Sequence, residues 1–309
     1  MLSRVADTIY WLGRYMERNN GMLQVIGTTY ISSQDEPGEL KWQPLIKIYG
    51  DPDEKEIASE SNSRKILDHL IFSHTNLASA YNNIMQSREN ARSVQDHISK
   101  EVWQCLNDYY HLMRNDVIKN KALAEDPISL IDMLIKNGLM FTGTVDSTMT
   151  RGEGFTYLNI GKFLERAIHT TEITKLEVSE LLASNSEKES ADLRYLLYSL
   201  LGFEVYLKTY KGSFTLKNVI EMIIQNTDFP HSVLYSLERL YKYFERLRSE
   251  SLPQNFDEMQ FLIGKTMNNI KYSSVHEADL AEMQAFLAQT RYDLFEIAGA
   301  FSKYYFGNT

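Results

Sequence analysis

Residues 13–18 read GRYMER, and the pattern returns 148 residues later as GKFLER over residues 161–166. The two hexamers agree in residue type at every position, which indicates an internal duplication. Further along, residues 65–79 can be laid on residues 218–232 at an offset of 153, so the second copy has about five extra residues in its linker. We therefore predict two similar halves, 1–148 and 149–309. Each carries one Gly-x-x-x-Glu-Arg motif, and the halves are expected to pack around a pseudo-twofold axis as one compact unit.

The sequence around these motifs predicts helix almost throughout the chain. There are six prolines in 309 residues, and the long stretches between them carry apolar residues that recur at spacings of three and four. Strict alternation of apolar and polar residues is rare, although residues 43–49 fit a short strand as well as a helical turn. The predicted fold class is all-α, a multi-helix bundle.

The first motif lies on a helix with two different faces. Its polar face carries Asp7, Trp11, Arg14 and Arg18, within about 60° of arc. Its opposite face carries Val5, Ile9, Leu12 and Met16. Glu17 lies at the border of the polar face. A glycine inside a helix costs roughly 1 kcal/mol relative to alanine, so Gly13 and Gly161 predict close packing of the motif helices.

A second polar cluster is predicted on a helix near residue 90. Arg88, Arg92 and Asp96 recur at intervals of four and would share one helix face, with Glu89 beside them. This is a dense run of charge for one face, which makes the cluster a candidate binding surface.

Composition and charge exclude several classes of protein. The formal net charge is −9, so bulk electrostatics do not favour binding to nucleic acid or to anionic membranes. The single cysteine, Cys105, excludes an intrachain disulfide and a cysteine-rich metal site. The apolar stretch 128–140 is interrupted by Asp132 and Lys136, so we expect no membrane span. These features predict a cytoplasmic protein.

The residues above resemble the alpha-E family, an all-helical bacterial domain of unknown function. The resemblance covers nearly the whole chain. It rests on residues 1–7, Tyr10, Trp11, 13–18, 88–92, Glu101, Trp103, Asn107 and 161–166. The departures are Lys162, where the family tends to have Arg, Asn19-Asn20, where it tends to have Ala and an acidic residue, and Ile168-His169 at the matching place in the second copy. Family members are often encoded beside circularly permuted ATP-grasp and transglutaminase-like proteins, which implies a role in peptide or amide metabolism.

The charged residues allow two interpretations. They are Arg14, Glu17, Arg18, Arg88, Glu89, Arg92, Lys162, Glu165 and Arg166. In the first interpretation they form a structural network of ion pairs between helices. In the second, arginine forks bind a carboxylate or phosphate and the glutamates orient them or bind an amine.

A metal site is a further alternative, because Glu165, His169 and Glu172 share one helix face. A helical di-iron site needs Glu-x-x-His from two helices, whereas the first copy offers Gly21 and Gln24 at the matching places. We therefore predict no metal and no cofactor.

Three functions follow from these observations. The first is a non-enzymatic partner or peptide/carboxylate-binding subunit in an ATP-grasp-associated peptide or amide modification system. Its partners, implied by the resemblance, are ATP-grasp-type and transglutaminase-like proteins. The second is a peptide- or amide-processing enzyme, with Glu17 or Glu165 as general base and Arg18, Arg92 or Arg166 holding the ligand. The third is an assembly scaffold.

Overall fold

The computed structural model describes residues 1–35, 42–50, 57, 60, 62–183, 189–211, 214–248 and 253–307. Every regular element in these ranges is helical, which confirms the predicted all-α class. The α-helices are α1 (Ser3–Asp35), α2 (Gln43–Tyr49), α3 (Ser63–Phe72), α4 (Ala80–Ser93), α5 (Lys100–Met113), α6 (Asp116–Glu125), α7 (Pro127–Thr148), α8 (Glu153–Ala183), α9 (Glu189–Ser199), α10 (Phe203–Tyr210), α11 (Leu216–Gln225), α12 (Val233–Phe244), α13 (Pro253–Lys271) and α14 (Leu280–Phe301). A π-helical turn, Ser302–Phe306, follows α14.

Residues 43–49, which fitted either a strand or a helical turn in the sequence, form helix α2. Pro44 lies in its first turn, where a missing backbone N–H costs no helical hydrogen bond. The first helical bond runs from the Ile46 N–H to the Trp42 carbonyl at 2.9 Å. With Leu45, Ile46 and Tyr49 buried, the short helix is held by packing rather than by its own length.

The chain divides into two compact units. One is Trp11–Phe155, and the other combines Met1–Tyr10 with Thr156–Thr309. Helices α1 and α8 each contribute residues to both units. The predicted halves 1–148 and 149–309, and the axis relating them, stay predictions.

In the unit Trp11–Phe155, α5 packs against α4 and α7, and α3 packs against α4 and α6. Its core consists of fully buried aliphatic and aromatic side chains such as Ile66, Leu70, Ile84, Leu106 and Tyr109. These residues recur at helical spacings, so burial of one apolar stripe on each helix accounts for the packing.

The other unit has an aromatic core. Phe244 stacks on Phe256 with ring centroids 4.6 Å apart and meets Phe301 edge-on at 6.2 Å. Tyr10, from the start of α1, lies 5.9 Å from Phe301 and 5.0 Å from Phe306. Such tilted and offset ring pairs stabilise a core beyond the area that they bury.

Helix α7 alone among the described helices is long and apolar enough to cross a membrane, judged by length and composition only. An 18-residue window of this helix has a mean hydropathy of 1.2, and 33% of that window is buried inside the protein. Helices α5 and α6 pack against it, and Leu130, Ile131 and Leu134 are buried. One face of α7 therefore packs inside the unit Trp11–Phe155, while apolar side chains such as Leu139 and Met140 on the rest of the helix are exposed.

Candidate functional site

The first Glu-Arg motif lies within α1, a continuous helix of 33 residues. Arg14 is 5% exposed and Glu17 is 6% exposed, whereas Arg18 is half-buried. Met16, on the opposite face, is also buried. The polar face predicted from the sequence is therefore buried at Arg14 and Glu17 instead of facing water.

Each arginine of this motif packs over an aromatic ring three residues earlier on the same helix. The Arg14 guanidinium carbon lies 4.5 Å from the Trp11 ring centroid, and that of Arg18 lies 5.7 Å from the Tyr15 ring centroid. Residues three apart are neighbours on a helix, and a guanidinium is attracted to the negative face of an aromatic ring. The ring holds each side chain along the helix surface.

The second motif has a similar local structure on α8, which has 31 residues. Glu165 is 4% exposed, and Lys162 and Arg166 are half-buried. The Phe163 ring lies 4.7 Å from the Lys162 ammonium and 5.2 Å from the Arg166 guanidinium carbon. The aromatic residue three positions before each motif arginine was a signal present in the sequence, and the sequence interpretation missed it.

Arg166 also anchors the loop between α11 and α12. Its Nη1 donates to the Pro230 carbonyl at 3.1 Å, and one turn later the Thr170 hydroxyl donates to the His231 carbonyl at 2.9 Å. A guanidinium has five N–H donors, so this bond uses only part of its capacity. One role of Arg166 is therefore structural.

Buried charges need partners, because taking an ion out of water costs several kcal/mol. None of the six charged motif side chains is isolated, since each takes part in further polar, ionic or ring interactions. They are Arg14, Glu17, Arg18, Lys162, Glu165 and Arg166. Burial of both glutamates favours the structural interpretation of the motif over an open pocket.

The cluster on α4 has a different, more exposed environment. Glu89 accepts hydrogen bonds from Arg88 at 2.8 Å and from Arg92 at 3.4 Å, and the side chains of Glu89 and Arg92 are 49% and 63% exposed. Ion pairs this exposed contribute little to stability. Arg88 is more fixed, because its Nε donates to Asn107 at 2.9 Å and its guanidinium lies 4.6 Å from the Tyr110 ring.

Within the described part of the unit Trp11–Phe155, no hydrogen bond or ion pair joins this α4 cluster to the motif residues of α1. The α4 cluster and the first motif therefore do not form one bonded network. Asp96 does not share the face of Arg88 and Arg92 either, because α4 ends at Ser93 and Asp96 lies in a 3₁₀ turn. That part of the sequence prediction was wrong, since Val94 leaves the helical conformation at φ −127°.

Glu172 is one of the three α8 residues whose spacing raised the alternative of a metal site. In the structure its carboxylate accepts a hydrogen bond from the Arg291 Nε of α14 at 2.8 Å. Among the described residues, no group of three or more His, Cys, Asp or Glu side chains is arranged to hold a metal ion.

The two asparagines that follow the first motif pack inside the unit Trp11–Phe155. Asn19 is fully buried, and its Nδ2 donates to the Tyr109 hydroxyl at 3.0 Å. Burial raises the pKa of Tyr109, so the phenol stays protonated at neutral pH. Asn20 occupies the space that Gly138 leaves open on α7. These positions connect α1 to α5 and α7, a role that the sequence interpretation missed.

Fold and motifs together define an all-helical protein in which two long helices each carry a buried glutamate followed by a half-buried arginine. A family model matches residues 1–306, essentially the whole chain, and is described as a predicted alpha-helical domain with a conserved ER motif. The chain belongs to this family, Alpha-E, which confirms the resemblance drawn from the sequence.

Curated relatives are found in mycobacteria. An uncharacterised protein of Mycobacterium bovis is 24% identical over 258 residues, which covers 77% of this chain and 29% of that protein. Uncharacterised proteins of two Mycobacterium tuberculosis strains match at the same identity and coverage. The chain thus spans less than a third of the length of these relatives. No solved structure matches the chain significantly.

Proposed function

We propose that this chain is a non-enzymatic subunit of an ATP-grasp-associated peptide or amide modification system. In this proposal the buried Glu-Arg motifs hold the helices together. Each motif also carries half-buried cations, Arg18 in the first motif and Lys162 and Arg166 in the second, and these are the groups that the proposal assigns, motif by motif, to binding a carboxylate or peptide. The association with ATP-grasp-type and transglutaminase-like proteins rests on the family resemblance.

The observation that carries the non-enzymatic role is the burial of both motif glutamates. A general base must come within hydrogen-bond reach of the proton that it abstracts. Glu17 is 6% exposed and Glu165 is 4% exposed, so neither carboxylate is open to a substrate arriving from solvent. Burial of this kind suits paired structural charges.

The length of the mycobacterial relatives supports the role of subunit. In those proteins the matched region makes up 29% of the chain, so it occurs together with a much longer stretch of other sequence. A helical region that is joined to other sequence in relatives is suited to act together with a further domain or protein.

We also propose the internal duplication, which the positions of the helices support. Helices α3, α4, α5 and α7 begin at residues 63, 80, 100 and 127, and helices α11, α12, α13 and α14 begin at residues 216, 233, 253 and 280. Each helix of the second set begins 153 residues after its counterpart, at the offset that the sequence repeat predicts. The proposal concerns the order of the helices within each copy. It does not concern how the two copies are arranged.

The structural role of the motifs is tested by Glu17→Gln and Glu165→Gln. Each carboxylate is buried and has partners, so neutralising it removes a charge that its surroundings compensate, and this is expected to lower the free energy of unfolding by about 3 kcal/mol in each variant. Glu89→Gln is the matched control, because it removes an exposed ion-paired carboxylate and is expected to cost less than about 1 kcal/mol. Urea unfolding followed by circular dichroism measures all three.

If both motif variants unfold at the wild-type urea concentration, the structural role is wrong and the enzymatic alternative gains weight. The partner is tested separately, by affinity purification of the tagged full chain from its own cells with mass spectrometry of the bound proteins. We expect an ATP-grasp-type or transglutaminase-like protein to be recovered. A chain that returns alone would overturn the partner role.

A further inference from the structure

A small cleft lies in the unit Trp11–Phe155, apart from the motif residues. Its volume is about 190 Å³. It is lined by Phe72, His74, Tyr81, Met113, Arg114, Asp116 and Lys119. Ligand pockets are commonly about 300–1,000 Å³, so this cleft suits a molecule of the size of one amino acid.

One wall of the cleft is a stack of two rings. His74 lies on Tyr81 with centroids 4.0 Å apart and an interplanar angle of 23°. The loop that carries His74 is fixed by Asn82, whose Nδ2 donates to the His74 carbonyl at 3.0 Å and to the Asn76 carbonyl at 2.8 Å. The ring wall is therefore held in place before any ligand arrives.

The charged groups of the cleft differ in how far they are already used. Lys119 is paired with Asp68 at 2.6 Å, which neutralises it. Arg114 donates one hydrogen bond, from Nη1 to the Tyr110 hydroxyl at 3.3 Å, so most of its N–H groups remain available. In the described part of the chain, neither the Asp116 carboxylate nor the His74 ring nitrogens have a hydrogen-bond or ion-pair partner.

The balance of these charges selects the chemistry of the ligand. One cation, Arg114, and one anion, Asp116, remain open once Lys119 and Asp68 have paired. A dianion such as phosphate would be repelled by the open Asp116 carboxylate, whereas a zwitterion places one charge against each open group. The rings of His74 and Tyr81 then provide an apolar surface for a side chain.

The second half of the chain lacks this chemistry. At the offset of 153, the positions of His74, Arg114 and Lys119 are taken by Thr227, Met267 and Tyr272. At the places that correspond to Arg114 and Asp116, helix α13 continues to Lys271, whereas α5 ends at Met113 and α6 begins at Asp116. The junction of α5 and α6 and the charges that it carries are therefore not repeated there.

We propose that this cleft binds a free amino acid with an apolar side chain, its carboxylate on Arg114 and its ammonium group on Asp116. The site goes beyond the proposed function, because it needs neither the Glu-Arg motifs nor a protein partner. Its test is therefore independent of the affinity purification that tests the partner role.

The test uses the full chain labelled with ¹³C at its methionine methyl groups, of which there are 12. Met113 lines the cleft and reports on it, its signal being assigned with Met113→Leu. L-leucine is titrated beside N-acetyl-L-leucine, L-leucinamide and inorganic phosphate. We expect a saturable shift of the Met113 signal with L-leucine, and binding roughly tenfold or more weaker for the other three probes, because each fails to match one open charge.

Two variants and a control test which charged side chains bind the carboxylate and the ammonium group of the ligand. Arg114→Gln and Asp116→Asn are each expected to weaken L-leucine binding by roughly tenfold or more. Arg246→Gln is the control, because Arg246 also lies over a tyrosine ring, at 5.2 Å from Tyr243, but outside the cleft. Arg114, Asp116 and Arg246 are exposed, so the variants are expected to keep the wild-type melting temperature.

Two results would overturn the proposal. One is the absence of a saturable Met113 shift at millimolar L-leucine. The other is equal binding of phosphate or N-acetyl-L-leucine, which would make the cleft a general anion site and leave Asp116 without a role.

Discussion

Gly138 on α7 is a position where one methyl group decides the packing. A Cβ there would lie 1.8 Å from Asn20 Oδ1, so the asparagine side chain would have to move. We expect Gly138→Ala to lower the free energy of unfolding by about 2 kcal/mol, as overpacking does. Gly143→Ala is the control on the same helix, because a Cβ there meets no atom within 4 Å. That variant is expected to gain up to about 1 kcal/mol of helix propensity.

Urea unfolding of both glycine variants measures the difference. Shortening the neighbour, in the double variant Asn20→Ser with Gly138→Ala, is expected to recover part of the loss, since residues in contact are energetically coupled. Equal stability of the two alanine variants would show that Asn20 does not constrain Gly138.

At the scale of elements, two loops end in the same type of helix N-cap, a serine. Ser79 donates to the Ser73 carbonyl at 2.7 Å and accepts from the Asn82 N–H at 3.2 Å, at the start of α4. Ser232 donates to the Asn226 carbonyl and accepts from the Tyr235 N–H at 3.0 Å, at the start of α12. Both serines are fully buried. Each buried hydroxyl therefore satisfies both a loop carbonyl and a backbone N–H of the helix that follows.

Replacing either cap is expected to cost about the same. Ser79→Ala and Ser232→Ala should each lower the free energy of unfolding by about 2 kcal/mol, the loss of a buried cap with its second hydrogen bond. Ser93→Ala, at the exposed end of α4, is expected to change it by less than about 0.5 kcal/mol. Thermal unfolding of the three variants compares them. A large loss in one loop with no loss in the other would argue that the two caps are not equivalent.

How far the sequence predicts each element depends on its length. Long helices such as α1 and α8 are predictable, because apolar spacing persists over many turns. Residues 43–49 are too few to distinguish a strand from a helix, and tertiary packing decides in favour of α2. The end of α4 at Ser93 was missed, because nothing in the charge spacing of Arg88, Arg92 and Asp96 signals where the helix stops.

At the scale of the whole molecule, the sequence predicted the helical class and the family but not the environment of the candidate site. Periodicity places Arg14 on a polar face and Glu17 at its border, yet it does not reveal what covers that face. The cleft around Arg114 and Asp116 was also missed, because its residues come from four helices, α3, α4, α5 and α6, and from two loops that only the fold brings together. Burial and long-range proximity are properties of the folded chain.

The stability of the folded chain is expected to fall in alkali, partly through Tyr305. Burial raises the pKa of Tyr305 to about 12, from about 10 in an unfolded chain. Since the folded state holds this proton more tightly, the stabilisation is complete below pH 10 and is lost as the pH rises from about 10 to about 12. Tyr305→Phe cannot ionise, so its free energy of unfolding should fall less steeply over that range. Tyr272→Phe, at a side chain that is 78% exposed, should follow the wild type. Urea unfolding at several pH values between 9 and 12 measures the three slopes, and an identical slope for Tyr305→Phe and the wild type would contradict the assignment.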